Sequence, residues 1–323
     1  MSSLLVIGGS GFFGKSILDA YSRGRLEKWQ ITKVYIFSRN ASALITSNPE
    51  LLSDSILLID GDITKCDGLP IADYVIHAAA SSNASRYIEA PEAEKKNILA
   101  GSINFCRLML SKYSKASKIL YVSSGAVYGA SSPTGIPFVE EDEFMPINEI
   151  DENKRHYAAA KRDSEALIVS LGKCGSSVAI ARCFAFIGKY LPRDEHFAVG
   201  NFVQNGLDQS PINVKAQKKI YRSYMYADDL VEWLMTIVEN AKETCPIFNV
   251  GSDESIEIRE LAALVGNFYN VPIETKGYTE EGQDFYVPSV EKARRELGLN
   301  INHPIADAIR INNVAIHELL QKN

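Results

Sequence analysis

Tyr157 and Lys161 stand four residues apart in Tyr157-Ala158-Ala159-Ala160-Lys161. On a helix that spacing puts both side chains on one face. A phenol titrates near pH ~10 and is a poor acid–base group at neutrality. A neighbouring ammonium favours the phenolate and brings the group nearer a useful range. The pair alone is a common coincidence. It gains meaning from Ser124, which ends the apolar run in Tyr121-Val122-Ser123-Ser124-Gly125-Ala126-Val127-Tyr128-Gly129. In an open α/β sheet the carboxyl ends of strands are where ligands bind. A hydroxyl there orients a reacting oxygen while Tyr157 moves the proton.

A glycine-rich loop comes first in the chain. Gly8, Gly11 and Gly14 are spaced GxxGxxG, after one apolar run and at the start of an amphipathic one. Glycines at such a turn let the backbone approach a pyrophosphate, which then sits at the positive end of a helix. A rival spacing overlaps it. Gly9-Ser10-Gly11-Phe12-Phe13-Gly14-Lys15-Ser16 satisfies the P-loop pattern GxxxxGK[ST], and Ile56–Asp60 ends in Asp as a Walker B strand does. Phe12 and Phe13 count against that rival, being apolar where phosphates would be wrapped.

The second apolar run ends Tyr35-Ile36-Phe37-Ser38-Arg39-Asn40. An NAD site usually has a carboxylate at this point, on the ribose hydroxyls. Here a hydroxyl and a guanidinium replace it, and a guanidinium pairs with a 2′-phosphate through two N–H groups. NADP(H) is therefore expected over NAD(H). Asp62, followed by Ile63, is either an adenine contact or an ordinary turn carboxylate.

The elements that would position these residues are legible in the pattern. Leu4–Ile7, Lys33–Phe37, Ile56–Ile59, Tyr74–His77, Ile119–Val122 and Val178–Ala181 are nearly continuous apolar runs, as strands buried on both faces of a parallel sheet should be. Amphipathic stretches at Gly11–Arg23, Ala93–Tyr113 and Asn153–Leu171 lie between them. This alternation predicts a doubly wound parallel Rossmann sheet of the α/β class. Beyond about residue 183, Gly and Pro punctuate shorter elements. Strands are expected at Ile220–Tyr226 and Ile247–Val250, and helices at Ala227–Glu239 and Glu257–Asn267. The expected division is a cofactor and catalytic domain over 1–183 and a smaller α/β substrate domain over 184–323, with some chain crossing between them.

The 323 residues are 46% hydrophobic and 23% charged, with a net charge of −6. That composition argues against disorder and against a general nucleic-acid or anionic-membrane surface. Five scattered cysteines without a CxxC pair suggest neither a disulfide framework nor a zinc site, and fit a cytoplasmic protein. The N-terminal apolar run is too short for a signal sequence or a membrane span. The sequons at Asn40 and Asn83 read as chance matches, and the acidic run Glu140–Glu143 as a solvated loop. His77 is expected to pack at a strand end. His156, His196, His303 and His317 lack ligand spacing. One of Asp228 and Asp229 is expected to cap a helix rather than hold a metal.

Taken together, the chain resembles an extended short-chain dehydrogenase/reductase of the nucleotide-sugar epimerase/dehydratase/reductase type. The matching pieces run in family order: Gly8–Gly14, Asp62-Ile63, His77-Ala78-Ala79-Ala80, Asn97, Ser124–Gly129, Tyr157–Lys161, Arg182 after the sixth strand, Arg222–Asp229 and Ala293–Gly298. They cover nearly the whole chain and displace the P-loop alternative. The resemblance implies a catalytic set of Ser124, Tyr157 and Lys161. It implies dinucleotide contacts at Gly8, Ser10, Gly11, Phe12, Phe13, Gly14, Ser38, Arg39, Asp62, Ile63, Ala78, Ala79, Ala80, Asn97, Val122, Tyr157, Lys161 and Phe184. It further implies substrate contacts at Ser124, Asn201 and Arg222, the last on a diphosphate, and a homodimer paired through the Ala93–Tyr113 and Asn153–Leu171 helices.

The departures are informative. Dehydratases of this type carry Asp-Glu after the catalytic Ser or Thr; here those positions are Gly125 and Ala126. The usual Asn of Arg-x-x-Asn is Ala185, and no Arg matches the family's C-terminal one near Gly282-Gln283-Asp284. With no acid to protonate a departing hydroxyl, dehydration is disfavoured. The expected activity is NADPH-dependent reduction of a nucleotide-linked 4-keto sugar. A 4-epimerase with bound NAD(P) is the alternative, and a non-catalytic NADP(H)-sensing protein a third reading.

Overall fold

The computed structural model describes residues 1–80, 89–112, 117–129, 132, 135–193 and 197–321. Asn83 of the second sequon and His196 lie outside the described residues. All six apolar runs up to residue 183 are strands: β1 (Ser2–Ile7), β2 (Ile31–Ser38), β3 (Ile56–Asp60), β4 (Tyr74–His77), β5 (Lys118–Ser124) and β6 (Ser177–Cys183). With β11 (Ile247–Val250) they form one sheet in the order β11-β6-β5-β4-β1-β2-β3. Pairings from β3 through β6 are parallel, with Ile7 beside both Phe37 and His77, and His77 beside Tyr121. That register brings Gly8, Arg39, Ala78 and Ser124 to one edge of the sheet. The order reverses between β1 and β4, which opens a crevice at that edge.

The chain falls into two compact units, one comprising Met1–Gly129, Glu143–Cys183 and Val231–Phe248, the other Ala130–Asp142, Phe184–Leu230 and Asn249–Asn323. In the first unit, α1 (Phe12–Ser22), the one-turn α2 (Leu44–Ser47), α3 (Pro91–Lys112) and α4 (Glu152–Lys173) connect the strands. Asp151 starts α4 by accepting from the Asn153 N–H, which satisfies one of the free first-turn donors. Leu5, Ile7, Val75, Ile119 and Tyr121 of the sheet pack on Phe105, Leu108 and Met109 of α3 and on Ile168 and Leu171 of α4. Each such side chain contributes about 1.5–3 kcal/mol on burial. Ser102 of α3 donates to Ser164 of α4 at 2.9 Å inside this packing, so small residues let the helices approach.

The second unit is built from short strands and helices. β7 (Phe186–Ile187) pairs with β10 (Met225–Tyr226), β8 (Ile212–Val214) with β13 (Ile273–Thr275), and β9 (Lys219–Arg222) lies between β12 (Ile256–Glu257) and β14 (Gln283–Tyr286). The run Ile220–Tyr226, expected as one strand, is therefore two. It breaks at Ser223-Tyr224 because its halves hydrogen-bond to different partners. The helices are α5 (Ala198–Leu207), α7 (Ile258–Tyr269), α8 (Glu291–Leu297) and α9 (Ile305–Gln321), while α6 (Ala227–Glu239) starts in this unit and belongs to the first from Val231 onward. Glu257 and Glu260 form a capping box on α7. The capping role expected at Asp228-Asp229 is corrected: both lie inside α6, so neither precedes its first turn. Asp229 instead accepts from the backbone N–H groups of Asn302 and His303, at 3.0 Å each, and pins that turn. Among the described residues, no helix is long and apolar enough to cross a membrane.

Candidate active site

A cleft of about 390 Å³ opens at the carboxyl ends of the strands in the first unit. Gly8, Ser10, Gly11, Ser38, Arg39, Asp62, Ile63, Ala79, Ala80 and Asn97 line it, so ten of the expected dinucleotide contacts share one wall system. Asn40, Thr64 and Gly101 line it as well, without having been anticipated. Phe12, Phe13, Gly14, Ala78, Val122, Tyr157, Lys161 and Phe184 are not part of that wall.

The glycines are explained by close approach. Gly8 has φ +84°, and a Cβ on it would come within 2.7 Å of the Ala79 backbone. A Cβ on Gly14 would stand 2.0 Å from the Gly9 carbonyl oxygen, so Gly14 serves the turn itself. Gly11 caps α1 without a side-chain hydrogen bond, and no acidic residue occupies the first turn. The N-terminal end of α1 thus keeps its positive potential for an anion. Lys15 is half-buried and outside the cleft wall; burial lowers its pKa despite the nearby Glu50 charge. Asp60 is engaged by Ser42, whose N–H and hydroxyl donate to it at 2.9 and 2.7 Å.

The end of the cleft at Ser38 and Arg39 is polar and asymmetric. The Ser38 hydroxyl is buried and has no hydrogen-bond partner among the described residues where β2 meets the cleft, and Arg39 is exposed beside it. Asp62 accepts from the Thr64 N–H and hydroxyl at 2.9 Å each. Burial pushes its pKa up, yet the Thr64 hydrogen bonds and the charges of Lys65 and Arg39 prevail and hold it below the usual range. The glycine cradle, with the Ser38 hydroxyl and the Arg39 guanidinium at its rim, fits a dinucleotide.

The residues expected to serve proton transfer sit on β5 and α4. Lys161 is buried, and its Nζ donates to the Val122 carbonyl at 2.9 Å and to the Tyr121 hydroxyl at 3.5 Å. The ammonium lies 5.8 Å from the centre of the Tyr157 ring. Burial alone would lower the Lys161 pKa; Tyr121 and Tyr157 outweigh it, so the side chain stays charged. Ser124 ends β5, and its hydroxyl accepts from the Ala126 N–H at 3.2 Å to start the 3₁₀ turn Gly125–Tyr128. The two positions that hold acids in dehydratases are thus inside this turn, as Gly125 and Ala126. His77 packs its ring against Phe105 and Tyr121, at 4.7 and 5.5 Å. Burial, aided by the Lys161 charge, lowers its pKa to about 3, so it is neutral at physiological pH.

A second layer escaped the motif reading. Arg182 lies within β6, not after it, and forms a buried ion pair with Glu165 of α4 at 2.9 Å. Ser123 donates to the same carboxylate at 2.6 Å, and Arg182 donates to the Tyr128 hydroxyl at 3.1 Å. The available signal was Glu165 four residues past Lys161 on the buried face, matched by one arginine in an apolar strand. Tyr121 was missed for a simpler reason, since an aromatic in a buried strand reads as core.

Of the expected substrate residues, Asn201 and Arg222 belong to the second unit, while Ser124 belongs to the first. Arg222 donates to the Asp284 carboxylate at 2.8 Å, and its guanidinium lies 5.7 Å from the Tyr286 ring. Phe184 stacks at 4.7 Å on that ring. Asn201 is half-buried on α5. Asp284 is the unanticipated member, occupying the region where a second arginine was sought.

Residues 4–251 match the model of the NAD dependent epimerase/dehydratase family. UDP-glucuronic acid decarboxylase 1 of Arabidopsis thaliana is 28% identical over 298 residues, covering 91% of this chain and 65% of that protein; the chain thus spans less than two thirds of this relative's length. Among solved structures, a dTDP-glucose 4,6-dehydratase from Streptomyces venezuelae with NAD and TYD bound aligns with TM-score 0.80 and 20% identity, covering 98% of this chain and 97% of that one. A UDP-glucose 4-epimerase from Thermus thermophilus in complex with NAD aligns with TM-score 0.78 and 19% identity, covering 98% and 99%. The extent of the family match and the parallel sheet with its glycine-lined cleft agree: this chain belongs to the NAD dependent epimerase/dehydratase family.

Proposed function

We propose that the protein is an NADP(H)-dependent reductase of a nucleotide-linked 4-keto sugar. The observation that carries this reading is the fixed ammonium of Lys161, held on the Val122 carbonyl and 5.8 Å from the Tyr157 ring. Such an arrangement serves proton transfer to a carbonyl oxygen. The dinucleotide would be held by Gly8, Ser10, Gly11, Ser38, Arg39, Asp62 and Asn97, and bound there it supplies the hydride for C4. Ser124 orients the sugar oxygen. Tyr157 gives it a proton, and Lys161 stabilises the phenolate that remains until solvent restores the proton. The ketone gains one hydride and one proton, which leaves the alcohol.

Nucleotide sugars are the proposed substrate class because the relatives are named for reactions on them. Their chemistry is compatible with a shared step. A uronic acid loses CO₂ readily when a ketone stands β to its carboxylate, at C4, and a 4-epimerase passes through the same ketone. Asn201 and Arg222 are the proposed nucleotide contacts, with residues 1–183 serving the cofactor and 184–323 the sugar nucleotide. Gly125 and Ala126 offer no acid for dehydration. The unpartnered Ser38 hydroxyl beside Arg39 favours a 2′-phosphate, and so a cofactor that is consumed in one direction.

The test follows NADPH absorbance with UDP- and dTDP-linked 4-keto-6-deoxyglucose. A reductase consumes one NADPH per sugar. The 4-epimerase reading has its own support in the epimerase folds that align with the chain. Interconversion of UDP-glucose and UDP-galactose without absorbance change would replace the reductase with it.

A further inference from the structure

We infer that Glu165 and Arg182 are positioning residues that hold the Ser124 hydroxyl at its working distance from Tyr157. The inference rests on the roles proposed above for those two groups. It comes from where the buried ion pair spends its remaining hydrogen bonds. The pair itself is forked: Arg182 Nε and Nη2 both donate to the Glu165 carboxylate, at 3.2 and 2.9 Å. Glu165 Oε1 then accepts from Ser123, the residue before Ser124, at 2.6 Å. Arg182 Nη1 donates to Tyr128, the last residue of the turn that Ser124 begins, at 3.1 Å. One turn earlier on α4, Arg162 donates to the Val127 carbonyl at 2.7 Å. The segment 123–128 is thereby gripped at three points, two of them from the helix that carries Tyr157 and Lys161.

Sequence spacing makes this grip directional. Tyr157, Lys161 and Glu165 follow one another at four-residue intervals, so one helix face presents phenol, ammonium and carboxylate in a row. In the sheet, Ser123 is directly beside Arg182 and Ser124 beside Cys183. A shift of α4 along β5 would have to break the Lys161 bond to Val122 and the Glu165 bond to Ser123 together. Stability alone does not account for the ion pair, because well-packed apolar residues of similar volume commonly replace a buried pair without loss. What they cannot replace is the hydrogen-bonded fix on residues 123 and 128. Catalytic groups need such support, since displacement of about 1 Å costs on the order of a hundredfold in rate.

The experiment uses the full chain with NADPH and UDP-4-keto-6-deoxyglucose. Ser123→Ala and Tyr128→Phe each delete one hydroxyl and leave the ion pair intact. Each should lower kcat about tenfold and raise the solvent deuterium isotope effect, as proton transfer becomes the slower step. The dissociation constant for NADP⁺, read by fluorescence, should stay within about twofold, and Ser123→Thr should restore kcat. A Glu165→Met/Arg182→Met double variant should still fold and bind NADP⁺ while losing about a hundredfold in kcat. Wild-type kcat and isotope effect in these variants, or losses that merely track cofactor affinity, would overturn the inference. Tyr157→Phe is the control that separates the two readings. If it is inactive while the other variants are unaffected, only the positioning role fails; if it turns over normally, the proposed site fails and the positioning role with it.

Discussion

Lys161 is bonded to the Val122 carbonyl, two residues before Ser124, so the ammonium is tied to the strand that delivers the serine. A long cation usually costs side-chain entropy to hold in place. Here burial and two acceptors hold it, and its charge remains 5.8 Å from the Tyr157 ring. Tyr157→Phe should lower kcat about 10²–10⁴-fold, the range of general acid–base catalysis, while NADP⁺ binding stays within a few-fold. Lys161→Arg should not rescue function, because a planar guanidinium has different donors and the site is buried. Steady-state kinetics with a 4-keto sugar nucleotide, alongside cofactor titration, checks both.

Cofactor choice should turn on Arg39 and Ser38. A charge-assisted hydrogen bond contributes about 1.5–3 kcal/mol, so Arg39→Ala should weaken NADPH binding about ten- to a hundredfold and leave NADH nearly unchanged. Arg39 is exposed, so the NADPH advantage should also shrink in high salt. Ser38→Ala should have a smaller effect in the same direction. Paired fluorescence titrations with the two nucleotides, at low and high salt, measure the ratio. An unchanged ratio in Arg39→Ala would remove Arg39 as its determinant, and NADH binding as tight as NADPH in the unaltered protein would assign the site to NAD(H).

What could be read in the chain follows physical regularities. Strands buried on both faces are continuous apolar runs, and Tyr74–His77 and Ala227–Glu239 have the bounds their patterns suggested. The glycine loop was legible because close backbone approach at Gly8 and Gly14 leaves no room for a Cβ. The break at Ser223-Tyr224 was not, since it depends on which remote strands pair with each half. Asp229 misled for a related reason. A carboxylate near a helix start resembles a cap, while its partners, Asn302 and His303, are remote in sequence. The Glu165–Arg182 pair is a tertiary relationship between a helix face and a strand, and spacing within either element cannot reveal the other.

The glycine loop permits a contrast between two positions of the same motif. Gly14 has the Gly9 carbonyl 2.0 Å from where a Cβ would stand, whereas Gly11 meets only the Gly8 carbonyl, at 3.5 Å. Gly14→Ala should therefore force the first turn of α1 to shift, lowering the thermal midpoint and abolishing dinucleotide binding together. Gly11→Ala should leave the midpoint within a few degrees and act on binding alone, through crowding in the cleft. Differential scanning fluorimetry with and without NADP⁺ distinguishes the two. Equal loss of stability in both variants would contradict the packing role of Gly14.

His77 should impose a pH dependence on stability. Its folded pKa is lowered from 6.5 to about 3 by burial and by the Lys161 charge. The unfolded chain therefore binds a proton between those values that the native protein excludes. Stability rises with pH across this window, is complete above about pH 6.5, and is lost as pH falls toward about 3. The slope is at most about 1.4 kcal/mol per pH unit, so the wild type should lose roughly 1.5–2 kcal/mol through this group between about pH 6.5 and 5. Carboxylates such as Asp62, whose folded pKa is depressed, act mainly below that range, because their stability is lost as pH falls through the carboxylate region. His77→Asn removes the titrating ring. Urea unfolding of both proteins at several pH values should show the difference between them growing from neutral pH to pH 5 in favour of the variant's flatter profile. Parallel profiles would mean that His77 takes up its proton without unfolding, and that the ring is not sealed between Phe105 and Tyr121.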